Sequence, residues 1–154
     1  MSKIIDIHHA KIITDWDKIK YPLILKCSQG TSFSDSKFKE RQAEARKRGL
    51  YHGSYHFAGK GFLDGNNKLY FVAQDPVEEA DWYLKCLGEI KDNEMLCLDW
   101  EIEHSDPVNW CKKFIERIKE KTGKDCWLYT NDYRALKYDF PKDWKFWIAR
   151  YSNQ

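Results

Sequence analysis

Apolar and polar positions along the chain alternate between short aliphatic runs and amphipathic stretches. Ile4-Ile5-Asp6-Ile7-His8 reads as a strand and Asp15-Trp16-Asp17-Lys18-Ile19 as a short helix. Tyr21-Pro22-Leu23-Ile24-Leu25-Lys26-Cys27 reads as a second strand, broken by Gln29-Gly30-Thr31. Helical composition from Ser36 to about Arg48 stops at Gly49, where a C-terminal cap belongs, and a third strand runs from Tyr51 to Phe57. Within 58–74, the turn residues Asp64-Gly65-Asn66-Asn67 separate Phe62-Leu63 from Leu69-Tyr70-Phe71, which predicts a hairpin. Asp75-Pro76 and Asp106-Pro107 each open a helix with an acidic N-cap and proline at the first helical position, and Glu78 stands at the capping-box position. The predicted buried stripes are Val77, Ala80, Leu84, Leu87 in the first and Val108, Cys111, Ile115, Ile118 in the second. Strands four, five and six are read at Met95–Glu101, Cys126–Thr130 and Phe146–Tyr151, with a helix-like stretch from Asp132. Repeated strand–helix alternation without linker or low-complexity run predicts one parallel α/β domain over residues 1–154.

Composition narrows the class. Aromatic residues make up 16% of the 154, more apolar surface than a disordered chain carries. No run approaches the roughly 18–20 apolar residues that span a bilayer, and Met1-Ser2-Lys3-Ile4-Ile5-Asp6 lacks the apolar core of a signal peptide. The expectation is therefore synthesis in the cytoplasm with no membrane partner. A net charge of +2, from 26 basic and 24 acidic residues, is too balanced for a nucleic-acid footprint and is compatible with an anionic polymer. Cys27, Cys86, Cys97, Cys111 and Cys126 are odd in number, widely spaced and without a CxxC, which predicts packed free thiols rather than disulfides or a zinc site.

Three groups of residues carry candidate chemistry. In Asp99-Trp100-Glu101, strand alternation puts Asp99 and Glu101 on the face of Met95 and Cys97, and Leu96, Leu98 and Trp100 on the other. One face thus turns from apolar to carboxylate at the strand's C-terminal end, where parallel α/β folds gather ligands. Two neighbouring carboxylates raise each other's pKa, as a general acid requires. Asp6, between Ile5 and Ile7, is read as an inward carboxylate of a central strand with Lys26 as its partner. Tyr55, Phe57, Tyr129, Trp147 and Tyr151 lie near strand ends, where rings stack on sugars or simply fill a core. Asp6-x-His8 with His52 and His56 is compatible with a metal-dependent hydrolase, although hydrogen-bonded structural histidines fit this strand better.

Together these motifs resemble glycoside hydrolase family 25, the Chalaropsis-type muramidases of bacteria and phages. Ile5-Asp6-Ile7-His8-His9 and Asp15-Trp16-Asp17-Lys18-Ile19-Lys20 resemble its first strand and "DW-x-K-V-K" helix, and Lys26-Cys27-Ser28-Gln29-Gly30 its "K-A-T-E-G". Phe33, Asp35 and Phe38 follow, then Gly49 and Gly53-Ser54-Tyr55-His56-Phe57 for "G-x-Y-H-F". Asp99-Trp100-Glu101, Tyr129-Thr130-Asn131 and Trp147-Ile148-Ala149-Arg150-Tyr151 are similar to "D-x-E", "Y-T-N" and "W-I-A-x-Y". The matches keep the family's order over nearly the whole chain.

The resemblance implies an irregular TIM-like β/α barrel that hydrolyses the β-1,4 bond after N-acetylmuramic acid in cell-wall peptidoglycan, with no metal and no cofactor. It implies Glu101 as general acid and Asp99 as the group that steadies the substrate's own N-acetyl as it attacks, with Asp6 in support. Lys26, Tyr55, Tyr129, Trp147 and Tyr151 are implied as substrate-binding residues. Three departures stand out: Gln29 replaces the motif's glutamate, the 58–74 segment is long, and six strands are counted where a closed barrel takes about eight. The last predicts an incomplete, open barrel whose exposed edges favour a homodimer. Two further readings stay open: a metal-dependent hydrolase using Asp6, His8, His52, His56 and Asp99, and a lysozyme-derived module that binds glycan without cleaving it.

Overall fold

The computed structural model describes residues 4–149. Along the chain lie β1 (Ile5–Ile7), a 3-10 turn at Trp16–Lys18, β2 (Leu23–Gln29), β3 (Phe33–Ser34), α1 (Phe38–Lys47) and β4 (Tyr51–Phe57). They are followed by β5 (Lys60–Leu63), β6 (Leu69–Val72), α2 (Pro76–Leu87), β7 (Met95–Asp99), α3 (Pro107–Thr122), β8 (Cys126–Asn131), α4 (Asp132–Lys137) and β9 (Phe146–Ala149). Six strands run parallel in the order β1-β2-β4-β7-β8-β9, β3 adds antiparallel to β2, and β5 and β6 pair as a separate hairpin. Each parallel strand lies beside its predecessor in the chain, and the sheet curls as a half-barrel.

Alternation along the strands splits the apolar residues between two faces. Leu23, Leu25 and Cys27 of β2, Leu96 and Leu98 of β7 and Leu128 of β8 pack against Tyr83 and Leu87 of α2 and Phe114 and Ile118 of α3. The opposite, concave face carries a smaller cluster of Ile24, Tyr55 and Cys97, with Ile4, Met95, Trp127, Tyr129 and Trp147 against it. Gly53 allows β4 and β7 to approach closely, because a Cβ there would stand 2.2 Å from the Met95 carbonyl oxygen.

The helices start where the Asp-Pro pairs predict. Asp75 Oδ1 accepts the N–H of Val77 at 2.9 Å and of Glu78 at 3.0 Å, and Asp106 Oδ1 accepts that of Asn109 at 3.3 Å. The stripes need correction. In α2 the buried residues are Glu79, Ala80, Tyr83 and Leu87 while Val77 is exposed, and in α3 they are Pro107, Trp110, Cys111, Phe114 and Ile118. The larger aromatic rings win the sheet-facing positions because they bury more area per residue.

All five cysteines are free, four of them buried and Cys86 half-buried. Among the described residues no helix is long and apolar enough to cross a membrane.

Candidate active site

The site is built outward from the end of β7. Trp100, fully buried, packs its ring 5.0 Å from that of Trp110. Its backbone N–H donates to the Tyr129 carbonyl at 2.9 Å, and its backbone carbonyl accepts the Thr130 hydroxyl at 2.8 Å. With Trp100 pinned on the helix side, Asp99 points to the concave face and Glu101 follows just beyond the strand. Asp99 is 8% exposed and Glu101 is exposed, with the two carboxyls in hydrogen-bonding contact. Burial, then the Glu101 carboxyl beside it, then Asp6, push the Asp99 carboxyl well above the usual carboxylate range, and Lys26 only partly counters this. Asp99 Oδ1 is buried and has no hydrogen-bond partner among the described residues.

The sheet register assembles the rest. Lys26 pairs with Tyr55, Tyr55 with Cys97, Asp99 with Tyr129 and Tyr129 with Trp147. The resulting shallow cleft is lined by Asp6, Tyr55, Cys97, Asp99, Tyr129 and Trp147. The Tyr55 hydroxyl lies within electrostatic reach of Asp6, and the Trp147 ring stands edge-on to Tyr129 at 5.1 Å. Five of the sequence-predicted residues thus meet in one cleft, Glu101 stands against one of them, and Tyr151 lies outside the described residues.

Two expectations about Asp6 are corrected. Among the described residues β1 is an edge strand rather than a central one, and Asp6 is exposed. Lys26 makes no ion pair with it. The Lys26 ammonium donates to Gln29 Oε1 at 2.8 Å and lies 5.3 Å from the Phe33 ring centre and 5.2 Å from that of Phe57. Burial lowers the Lys26 pKa from the usual lysine value, while Asp35, Asp99, Asp6 and Glu101 act in the opposite sense.

The histidines do not join this cleft as a ligand set. His56 is fully buried, its Nδ1 2.8 Å from the Ser28 hydroxyl and its Nε2 2.8 Å from Glu79 Oε1, so both ring nitrogens are engaged away from Asp99. Among the described residues no group of three or more His, Cys, Asp and Glu side chains is arranged to hold a metal ion.

Sequence reasoning missed what fixes the neighbouring wall. Glu79, fully buried, accepts the N–H of Gly59 at 3.0 Å and of Gln74 at 2.8 Å, tying both stems of the β5–β6 hairpin to α2. Gln74 Oε1 in turn accepts the Thr31 N–H and hydroxyl, each at 2.9 Å. A glutamate one residue before the buried Ala80 was the available signal, since a charge on an apolar face needs several partners. The hairpin and the β2–β3 turn border an open groove next to Lys26.

The sequence model of the glycosyl hydrolases family 25 matches residues 5–154. The chain is 25% identical over 156 residues to an autolytic lysozyme of Clostridium acetobutylicum, covering 96% of this chain and 44% of that protein. Among solved structures, the CTP1L endolysin superposes with a TM-score of 0.75 at 25% identity, over 97% of this chain and 53% of that one. The catalytic domain of endolysin ply40 from the Listeria monocytogenes bacteriophage P40 gives 0.72 at 25% identity, over 96% and 73%. The chain thus spans less than half the length of the autolytic lysozyme and about half that of the CTP1L endolysin.

Proposed function

Since the chain belongs to glycosyl hydrolases family 25, we propose that it is a muramidase, cleaving the β-1,4 bond between N-acetylmuramic acid and N-acetylglucosamine in bacterial cell-wall peptidoglycan. The observation that carries this reading is the carboxyl pair at the end of β7. Asp99, buried in the cleft, holds a proton to higher pH than a solvated aspartate, and it touches the exposed Glu101. Asp99 thus holds a proton more tightly than a solvated carboxyl does, beside an outer carboxyl from which a proton can be delivered.

In the proposed reaction Glu101 gives that proton to the leaving glycosidic oxygen as the C1–O bond breaks. The substrate's acetamido oxygen forms the bond to C1, the substrate-assisted variant of glycoside hydrolysis. Asp99, then an anion, offers the unpartnered Oδ1 to the acetamido N–H and balances the developing positive charge. Water then adds at C1, its proton passing to Glu101, and the acetamido group is restored. Asp6, beside Tyr55 in the cleft, supports the pair by its charge, and Tyr129, Trp147 and Lys26 position the sugars.

The test is release of reducing ends from purified sacculi, with and without EDTA. The reading predicts release that EDTA leaves unchanged. Release abolished by EDTA and restored by added metal would favour the metal-dependent hydrolase, and binding to sacculi without reducing ends would favour a non-catalytic glycan module.

A further inference from the structure

The groove beside the cleft differs from it in charge. The cleft is acidic, with Asp6 and Asp99, whereas the groove carries Lys60 and Lys26 with the neutral Gln29, over the rings of Phe33 and Phe71, and the His9 ring at its edge lies 3.6 Å from Asp35. No carboxylate lines the groove among the described residues. Asp35, within electrostatic reach of Lys26, is buried and accepts the N–H groups of His9 at 2.7 Å and Lys37 at 2.9 Å. Neither Lys26 nor Lys60 has an ion-pair partner within 4.0 Å among the described residues. Lys60 is exposed, with its ammonium 5.3 Å from the Phe62 ring centre. Cations left unpaired along a groove with aromatic walls suit an anionic ligand with apolar parts.

The groove is preformed. Glu79 holds both hairpin stems, and Gln74 joins them to the β2–β3 turn on the facing wall. Gly30 makes that junction close, because a Cβ there would lie 2.8 Å from Gln74 Oε1. Lys26 links the two regions: it lines the groove, and Asp6, Asp99 and Glu101 all act on its charge. A ligand in the groove is therefore attached to, or adjacent to, whatever lies over the carboxyl pair.

We infer that this groove takes the carboxylate-bearing peptide substituents of the wall glycan, with Lys60 as a specificity-determining residue. The inference rests on the muramidase reading for the identity of the polymer and adds the part of it that is recognised away from the scissile bond. Its consequence is a preference for glycan whose peptide carboxylates are free over the same glycan with those carboxylates capped as amides.

The experiment has a binding arm and a hydrolysis arm. Soluble muropeptides, native or carbodiimide-capped as neutral amides, are titrated into the wild-type chain, Lys60→Gln and Lys60→Glu. Hydrolysis is followed on teichoic-acid-free sacculi, native and capped. The exposed Lys60 lets both variants fold, and thermal melts check this. Native muropeptide is expected to bind Lys60→Glu about tenfold more weakly than wild type, with Lys60→Gln between, the scale of a partly solvated ion pair lost and then reversed. Capped muropeptide should bind all three alike, and the wild-type preference for native sacculi should disappear in Lys60→Glu. Equal affinities of wild type and Lys60→Glu for native muropeptide, or no effect of capping, overturn the inference. Lys60-dependent binding without any reducing ends upholds the groove and overturns the muramidase reading. Hydrolysis indifferent to both Lys60 and capping does the reverse.

Discussion

Replacing Asp99 by asparagine should make the protein more stable at neutral pH while removing its activity. The side chain is 8% exposed, one oxygen lacks a partner, and its charge faces those of Glu101 and Asp6 with only Lys26 in compensation. A raised folded-state pKa means that the folded chain holds the proton more tightly than the unfolded chain. Stability is therefore highest below the unfolded aspartate value of about 3.9 and falls as pH rises from there through the folded value. Asparagine keeps the shape and removes the charge. From the scale of an unsatisfied buried polar group, the gain at pH 7 is about 1–2 kcal/mol. In a chain of this size each kcal/mol moves Tm by about 2–4 °C, so the variant should melt about 2–8 °C higher. Thermal melts of both proteins from pH 3.5 to 8 measure this, and the curves should converge at the acid end. A variant that melts lower at pH 7, or a difference independent of pH, would show that the site stabilises the Asp99 anion and would refute the reasoning. Gains of this kind at catalytic positions reflect the stability given up to hold reactive groups in place.

Three further outcomes follow from the same contacts. Glu79→Ala strips partners from the Gly59 and Gln74 N–H groups and from His56, and should cost about 3–5 kcal/mol in urea unfolding. For Glu94, 4% exposed, burial raises the pKa, but the paired Arg46 bonds at 2.8 and 2.7 Å and the Lys91 N–H outweigh it and hold the carboxyl below its usual range. That stability is present above the unfolded value of about 4.3 and lost as pH falls through the folded value, so Arg46→Met should cost about 2 kcal/mol at pH 7 and progressively less in acid. Tyr55→Phe removes the hydroxyl that faces Asp6 and should lower kcat/KM on sacculi about tenfold with Tm shifted by no more than a few degrees; unchanged kcat/KM would make the Tyr55 hydroxyl a bystander.

What the sequence conveyed, and what it hid, divides by the range of the interaction. Period-two alternation in Met95–Asp99 and the Asp-Pro openings are local signals, and they located the carboxyl pair and the starts of α2 and α3. The order of apolar runs sufficed for a parallel sheet. Asp6 was misplaced because a three-residue apolar strand reads alike at the centre or the edge of a sheet. The Lys26–Gln29 bond was hidden by the expectation that a buried cation seeks a carboxylate, whereas burial and two ring faces make a neutral amide sufficient here. The Glu79 knot reaches Gly59, 20 positions away, and Gln74 through backbone N–H groups, which carry no side-chain signature. The α2 stripe held at Ala80 and Leu87 but missed Glu79 and Tyr83, which occupy buried positions through their hydrogen bonds as well as their apolar area.

The central claim is that Glu101 delivers the proton to the leaving oxygen, and Glu101→Gln tests it most directly. The exposed position lets the variant fold, so the wild-type and variant proteins are compared for reducing ends released from the same sacculi, with Tm as the control for folding. Loss of a general acid predicts a fall of about 10²–10⁴-fold in kcat at unchanged Tm. Turnover at the wild-type rate in Glu101→Gln would contradict the account.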